Sequence, residues 1–263
     1  MQIELKNIVV LPDGLSGKSE KPRLSISCSF QTTDKIGIVG LSGSGKTTLL
    51  QLLAGMLEPD SGDILLDSEN ILPNKGLFKH YQNLFAMCFQ FPEMQLFETT
   101  VGGDVAFGLK NQKLTRIEND KRVEKILQEV GFANPDFRNK PTRSLSQGEK
   151  RRVALAGILV MEKPVLLLDE PTAGLDIFSR NLIMNTLRDY SQKKEKGMVI
   201  ISHDLQFLLQ SVDKLWLMEE GRLAHSMECS QTDFSVLKRY IELPRAFYLN
   251  QRLIQLGYES ALV

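Results

Sequence analysis

The sequence has few of the residues that mark a secreted, membrane-spanning or metal-binding chain. Its three cysteines, Cys28, Cys88 and Cys229, are odd in number and do not have the spacing of a metal site. Scattered free thiols are typical of a reducing cytosol. No apolar run approaches the roughly 20 residues of a transmembrane helix. The first segment, MQIELKNIVV, has no basic region before a long apolar run, so we expect no signal peptide.

The sequence also lacks an excess of charge of either sign. Lys plus Arg and Asp plus Glu each number 32, so the formal net charge is zero, and we expect no nucleic-acid partner. Hydrophobic residues make up 42% of the 263 residues, which is enough for a sizeable core. This length fits one large domain, alone or with a small appendage.

Strand and helix patterns alternate along most of the chain. This alternation predicts an α/β fold with a mostly parallel sheet, and the first two strands predict an antiparallel hairpin. Strand patterns occur at IELKNIVV, RLSISCSF, KIGIVG, GDILL, LFAMCFQ, PVLLLDEP, GMVIISHD and DKLWLMEEG, and helix patterns at KTTLLQLLAGML, 116–130, 146–161, 178–192 and 205–211.

The composition changes after about residue 228. We therefore predict a main domain over residues 1–228 and a helical appendage over residues 229–263. A helical apolar face in the appendage either contacts a second chain or packs onto its own domain. Its residues are Ala246, Leu249, Leu253 and Leu256.

The segment GLSGSGKT, residues 40–47, fits the phosphate-loop pattern G-x-x-x-x-G-K-[ST] between a predicted strand and a predicted helix. Its glycines let backbone N–H groups approach phosphate oxygens at the start of the helix. Lys46 would contact the β- and γ-phosphates, and Thr47 would bind Mg²⁺. The predicted nucleotide-binding residues are Gly40, Ser42, Gly43, Ser44, Gly45, Lys46, Thr47 and Thr48.

Two acidic residues, Asp169 and Glu170, end the strand pattern VLLLDE. In a parallel sheet the carboxyl ends of the strands carry the ligands. Asp169 would hold Mg²⁺ through its water shell, and Glu170 would polarise the attacking water. An acidic pair after a strand is also common in a solvated turn, but the phosphate loop on the same predicted sheet favours the functional interpretation.

Further segments resemble the motifs of ATP-binding-cassette (ABC) ATPases, in the order of that family. LSQGEKRR, residues 145–152, resembles the signature motif L-S-G-G-Q. AGLD, residues 173–176, resembles the D-loop, and SHD, residues 202–204, the segment of the switch histidine. Gln90 lies where the Q-loop glutamine would be. The resemblance covers about residues 1–225.

The resemblance implies an ATP hydrolase that pairs head to tail with a second ABC ATPase chain, either a second copy or a related protein. Each ATP, with Mg²⁺, would lie between one chain's phosphate loop and the other chain's signature motif. A helical signature subdomain is implied over about residues 91–160. The implied catalytic residues are Glu170, His203 and Gln90, the Mg²⁺ site Thr47, Gln90 and Asp169, the signature residues Ser146, Gln147, Gly148 and Glu149, and the D-loop residue Asp176.

Two features depart from the family pattern. Gln147 replaces the first signature glycine and Glu149 the usual glutamine, while Gly148 is retained, so we expect the phosphate contact to persist. The family also stacks an aromatic residue near the first strand on adenine, and here Val9 or Leu11 occupies that region. We therefore expect weaker discrimination in favour of adenine.

The stretch FQFPEMQLFETTVGGDVAFGLKN resembles energy-coupling-factor transporter ATPases, which drive prokaryotic uptake of vitamins and of cobalt or nickel ions. LPRAFYLNQRLIQLGY resembles their C-terminal dimerisation segment. The resemblance implies a peripheral protein on the cytoplasmic face of the membrane, with a transmembrane coupling subunit and a substrate-capture membrane subunit as partners. The residues expected to dock on the coupling subunit are Phe91, Met94, Leu96 and Phe97.

Several alternatives stay open. The docking side chains could instead fill the core of their own domain, although an exposed apolar patch favours a partner. The chain could serve a conventional ABC importer or exporter. It could also be a soluble ABC ATPase, but those usually carry tandem cassettes or a long coiled-coil insertion. A small-molecule kinase would leave the signature motif and the histidine unexplained.

Overall fold

The computed structural model of the chain describes residues 1–12, 21–194 and 196–243. Within these ranges the chain forms ten strands and eight α-helices. The strands are β1 (Gln2–Val10), β2 (Leu24–Gln31), β3 (Lys35–Val39), β4 (Ser61–Leu66), β5 (Glu69–Asn70), β6 (Phe85–Cys88), β7 (Val165–Asp169), β8 (Gly197–Ile201), β9 (Lys214–Glu219) and β10 (Arg222–Glu228). The helices are α1 (Lys46–Leu53), α2 (Lys75–Gln82), α3 (Val101–Phe107), α4 (Arg116–Glu129), α5 (Gln147–Leu159), α6 (Ile177–Lys194), α7 (Leu205–Ser211) and α8 (Phe234–Leu237).

The described strands form two sheets. The larger sheet has the order β10-β9-β3-β8-β7-β6, and all its neighbours are parallel except β10 and β9. The smaller sheet has the order β2-β1-β4-β5 and is antiparallel. The predicted hairpin is confirmed as β1 and β2, which pair from Gln2 opposite Gln31 to Val10 opposite Leu24.

Both faces of the larger sheet are buried at its central strands β7 and β8. Leu166 and Leu168 of β7 lie in a cluster with residues of α4 and α5. Val165 and Leu167, on the other face, lie in a second cluster with α1 and the smaller sheet. Every residue of β7 and β8 is accordingly buried, which explains their continuous apolar sequences. The predicted α/β fold with a mostly parallel sheet is confirmed.

The segment after β10 begins inside the main core. Leu237, Tyr240, Ile241 and Leu243 are buried in the same cluster as Leu217 of β9. The chain therefore remains packed on the main core through at least Leu243. The predicted apolar stripe at Ala246, Leu249, Leu253 and Leu256 lies outside the described residues, and the dimerisation segment stays a prediction. Among the described helices, none is long and apolar enough to cross a membrane.

Candidate nucleotide-binding site

Four parallel strands bring the predicted motifs to one edge of the larger sheet. The phosphate loop follows β3, Gln90 comes two residues after β6, Asp169 ends β7, and His203 comes two residues after β8. A cavity of about 390 Å³ opens between these loops. Its wall is formed by Arg23, Ser42, Gly43, Ser44, Gly45, Lys46, Thr47, Thr48, Gln90, Asp169, Glu170, Ile201 and His203.

The phosphate loop needs glycine at two positions for different reasons. Gly45 has a φ of 94°, in the left-handed region, and it precedes the first turn of α1. At Gly40 a Cβ atom would lie 2.4 Å from the carbonyl oxygen of Met218, so only glycine fits. The loop can therefore turn tightly and direct its backbone N–H groups toward the cavity.

Lys46 lies over its own loop. Its Nζ donates hydrogen bonds to the carbonyl oxygens of Gly40 at 2.7 Å and Leu41 at 2.9 Å. Burial lowers the pKa of Lys46, and the nearby Glu170 and Asp169 carboxylates oppose this shift. The lysine is thus placed where a bound phosphate would meet a cation.

Thr47 and Asp169 provide two hard oxygen donors beside the phosphate loop. The hydroxyl of Thr47 donates to Oδ2 of Asp169 at 2.7 Å. Burial raises the pKa of Asp169, while this hydrogen bond and Lys46 lower it. Hydroxyl and carboxylate oxygens next to an anion-binding loop fit Mg²⁺, which is usually bound through few protein ligands, waters and substrate phosphates.

Glu170 occupies a buried turn with a φ of 49°, unusual for a residue other than glycine. Its backbone N–H donates to the carbonyl oxygen of Ile201 at 3.0 Å, which holds the turn in place. Its Oε1 is buried and has no hydrogen-bond partner among the described residues, so a water molecule or substrate group would satisfy it. Burial, reinforced by the charge of Asp169, raises the pKa of Glu170 to about 7. A carboxylate with such a pKa is suited to general-base work.

The structure brings together all three residues predicted to act in catalysis. Gln90, Glu170 and His203 line the same cavity. His203 has a side chain 66% exposed, with Nε2 lying 3.5 Å from Oε1 of Glu170. It is held at this edge because the next residue, Asp204, caps α7 by accepting a hydrogen bond from the N–H of Phe207 at 3.0 Å.

The signature residues lie at the start of α5 and do not line this cavity within the described chain. Ser146 caps α5, and its Oγ accepts from the N–H of Glu149 at 3.3 Å. The carboxylate of Glu149 accepts two hydrogen bonds in return. Its Oε2 accepts from the N–H of Ser146 at 2.7 Å, and its Oε1 accepts from Nζ of Lys140 at 3.1 Å. The carboxylate of Glu149 is therefore engaged in the helix cap. Gln147 donates through Nε2 to Oε1 of Glu93 at 3.3 Å.

The D-loop residue Asp176 also has a local partner. Its two carboxylate oxygens accept hydrogen bonds from the N–H and the hydroxyl of Ser179, at 2.9 Å and 2.8 Å. These bonds fix the start of α6. The next two residues, Ile177 and Phe178, are 78% and 75% exposed, a feature that the sequence reasoning missed.

Three of the four predicted docking residues are exposed. The exposed fractions of Phe91, Met94 and Phe97 are 50%, 81% and 60%. Leu96 differs from the expectation because it is partly buried against the main core. Phe107, which the sequence reasoning missed, packs edge to face on Phe97 with ring centroids 4.5 Å apart and is 43% exposed. We call Phe91, Met94, Phe97 and Phe107 the docking surface.

Arg23 is a further residue that the sequence reasoning missed. It lines the cavity, whereas Val9 and Leu11, the expected neighbours of adenine, do not. The carbonyl oxygen of Arg23 would lie 2.9 Å from a Cβ atom on Gly45, so this segment packs directly on the phosphate loop. The only signal in the sequence is the position of Arg23 at the start of the second strand pattern.

Known proteins resemble this chain in both sequence and structure. Residues 24–173 match the family described as ABC transporter. The energy-coupling factor transporter ATP-binding protein EcfA2 of Clostridium acetobutylicum is 35% identical over 262 residues, covering 98% of this chain and 92% of that protein. The structure of cbiO1 from Clostridium perfringens, described as part of the ABC transporter complex cbiONQ, has a TM-score of 0.77 at 32% identity, covering 97% and 96%. The dimeric ATP-binding cassette MJ0796, bound to ADP and Pi, shares the fold with a TM-score of 0.73 at 23% identity, covering 86% and 98%.

Proposed function

The chain belongs to the ABC transporter family and hydrolyses ATP, and on that premise we propose that it powers an energy-coupling-factor importer for a vitamin or a transition-metal ion. One structural observation carries the proposal. Gln90 lines the nucleotide cavity, and the residue after it, Phe91, begins the exposed docking surface. The nucleotide state can thus act on a partner that covers this surface. The relationship to the energy-coupling-factor ATPases supports the choice of importer.

The residues that line the cavity have different roles in hydrolysis. Lys46 and the backbone N–H groups of the phosphate loop bind the β- and γ-phosphates. Thr47 and Gln90 would hold Mg²⁺ directly and Asp169 would hold it through water. The ion would supply positive charge to the β- and γ-phosphate oxygens. Glu170 accepts a proton from the attacking water, and His203 contacts the γ-phosphate and keeps the geometry in place.

A second ABC ATPase chain completes the site. The hydroxyl of Ser146 and the N–H of Gly148 lie at the start of α5, outside their own chain's cavity, and they donate to the γ-phosphate bound by the other chain. The exposed Ile177 and Phe178 beside the D-loop support this arrangement, because burial between two chains would remove them from water. The second chain is either another copy or a related ATPase.

The docking surface binds a transmembrane coupling subunit, which places the chain at the cytoplasmic face of the membrane. Its four side chains are three phenylalanines and a methionine, which adapt well to an apolar pocket on a partner protein. A separate substrate-capture membrane subunit selects the transported compound.

A gentle pull-down from solubilised membranes tests the proposal. We expect this chain to retain a transmembrane coupling subunit and a small integral-membrane capture protein, identified by mass spectrometry. Recovery of a permease that works with a soluble binding protein would instead indicate a conventional importer. Recovery of no membrane protein, with ATP hydrolysis intact, would indicate a soluble ABC ATPase.

A further inference from the structure

Arg151 and Glu93 form a buried ion pair between two elements that carry different parts of the proposed function. Arg151 lies in α5, the helix that begins with the signature motif. Glu93 lies in the 3₁₀ helix Pro92–Gln95, which carries Met94 of the docking surface and which we call the docking helix. The pair is bidentate: Nε of Arg151 is 3.1 Å from Oε2 of Glu93, and an Nη2 hydrogen bond of 3.3 Å reaches Oε1. The side chains are only 3% and 9% exposed.

The same guanidinium also donates hydrogen bonds to the backbone of the Q-loop and of the D-loop. Nη2 donates to the carbonyl oxygen of Gln90 at 3.0 Å. Nη1 donates to the carbonyl oxygen of Ala173, in the D-loop. One side chain therefore fixes the Q-loop, the D-loop and the docking helix relative to α5. Gln147, which replaces a signature glycine, adds a third hydrogen bond from α5 to Glu93.

The arrangement is not explained by stability alone. Removing two charges from water is costly, and well-packed apolar residues often stabilise a fold as well as a buried ion pair does. The planar guanidinium, however, holds its donors in fixed directions, which a lysine ammonium cannot do. Arg151 is thus suited to fixing the relative positions of several segments.

We propose that Arg151 is a positioning residue that, through Glu93, couples the docking surface to the Q-loop and the D-loop. Displacement of the docking helix by a membrane partner moves Glu93. Arg151 transmits this movement to the carbonyl groups of Gln90 and Ala173, so that the Q-loop and D-loop shift with the partner. This inference rests on the proposed function, since it assumes a partner on the docking surface.

The test compares R151K, E93Q and the double variant of the full chain with the wild type. Because small displacements of catalytic groups are costly, we expect R151K to lower kcat by about tenfold or more. The Kd of a fluorescent ATP analogue should stay within about twofold, which assigns the loss to the chemical step. E93Q should lower kcat less than R151K does. The double variant should be no slower than R151K, because the effects of substitutions at two residues in contact are not additive.

Arg152 provides the matched control. It is the next residue of α5, donates to the carbonyl oxygen of Val130 at 3.2 Å, and has its guanidinium 4.4 Å from the ring centroid of Phe132. R152K makes the same substitution at a half-buried arginine whose hydrogen bond goes to Val130 rather than to Glu93, Gln90 or Ala173, and its kcat should fall much less than that of R151K. Hydrogen exchange adds a direct readout: ATP should alter exchange in residues 90–97 of the wild type and not of R151K.

Two results would overturn the proposal. One is a folded R151K and a folded E93Q that both keep the wild-type kcat and the ATP-dependent exchange. The other is a common fall of Tm, Kd and kcat in R151K, E93Q and R152K alike, which indicates a purely structural role. If R151K does not fold, the milder E93Q decides between these outcomes. The kinetic measurements need no membrane partner, so failure to capture one would contradict the proposed function separately.

Discussion

Nε2 of His203 lies 3.5 Å from Oε1 of Glu170 because two neighbouring parallel strands end in register. Asp169, the last residue of β7, pairs with Ile201, the last residue of β8. Glu170 follows the first strand by one residue and His203 follows the second by two. The sheet itself therefore positions the proposed base beside the histidine, and several measurements can test what this pair does.

Replacing the proposed base should separate binding from hydrolysis. Glu170→Gln keeps the size of the side chain and removes its ability to accept a proton. We expect kcat to fall by about a hundredfold or more, because general-base catalysis contributes roughly 10² to 10⁴. ATP should still bind, and ATP-dependent dimer should accumulate in size-exclusion chromatography. Glu69→Gln, on the exposed strand β5, is the control. Full turnover by Glu170→Gln would remove Glu170 from this role.

The raised pKa of Glu170 predicts the pH dependence of the rate. Burial and the charge of Asp169 raise this pKa to about 7, and only the ionised form can accept a proton. The wild-type kcat should therefore fall as the pH decreases below about 7. The residual kcat of Glu170→Gln should not show this fall at low pH. A flat wild-type profile between pH 6 and pH 8 would contradict the prediction.

The same shift predicts how the stability of the ligand-free chain varies with pH. The folded-state pKa lies above the usual glutamate value of 4.5, so the folded chain binds this proton more tightly than the unfolded chain does. This stabilisation is complete below 4.5 and is lost as the pH rises through about 7. Denaturant titrations at several pH values should show it in the wild type and not in Glu170→Gln. An identical pH dependence of the two chains would contradict it.

The hydrogen bond between Thr47 and Asp169 predicts how a substitution of Thr47 changes the Mg²⁺ concentration that hydrolysis requires. Thr47→Ala removes a proposed direct ligand of Mg²⁺ and leaves Asp169 without its hydroxyl partner. Losing such an interaction typically weakens metal binding by about tenfold or more, so the Mg²⁺ concentration for half-maximal hydrolysis should rise by that factor. Thr47→Ser keeps the hydroxyl and is the control. Equal Mg²⁺ requirements in the two variants would exclude this role for Thr47.

Charges on the docking surface should uncouple transport from ATP hydrolysis. Met94→Asp is the sharper variant because Met94 is 81% exposed, whereas Phe97 packs on Phe107. We expect both Met94→Asp and Phe97→Asp to fold and to lose the membrane partner in pull-downs and transport assays. Ile117→Asp, at a residue of α4 that is 68% exposed, is the matched control and should retain the partner. Unfolding of Met94→Asp would favour the interpretation that this segment is part of the core.

Nucleotide selectivity should be weak. An aromatic stack on a base contributes about 1–3 kcal/mol in nucleic-acid complexes, and the described cavity wall has Arg23 and no aromatic residue. Stacking of a guanidinium does not distinguish one base from another, because every base has a π-face. Arg23→Ala should therefore weaken ATP and GTP binding to a similar extent. Lys21→Ala, two residues earlier, is the control. Tight ATP binding with sharp rejection of GTP would be the opposite result.

The sequence by itself determined the features that depend on short stretches of chain. The phosphate loop, the acidic pair at the end of β7 and the strand–helix alternation each arise from local patterns, and the structure places them as these patterns predict. The cap of α5 is also local, since Ser146 and Glu149 are three residues apart. Backbone geometry and apolar periodicity fix such features without reference to the rest of the chain.

Only the tertiary structure decided which distant side chains meet. Glu93 and Arg151 are 58 residues apart in sequence, and no local pattern indicates that their charges face each other in a buried site. The burial of Leu96, the contact of Phe107 with Phe97 and the place of Arg23 in the cavity wall depend likewise on how separate elements pack. Packing is decided by long-range complementarity of shape and charge, which single-residue patterns do not encode.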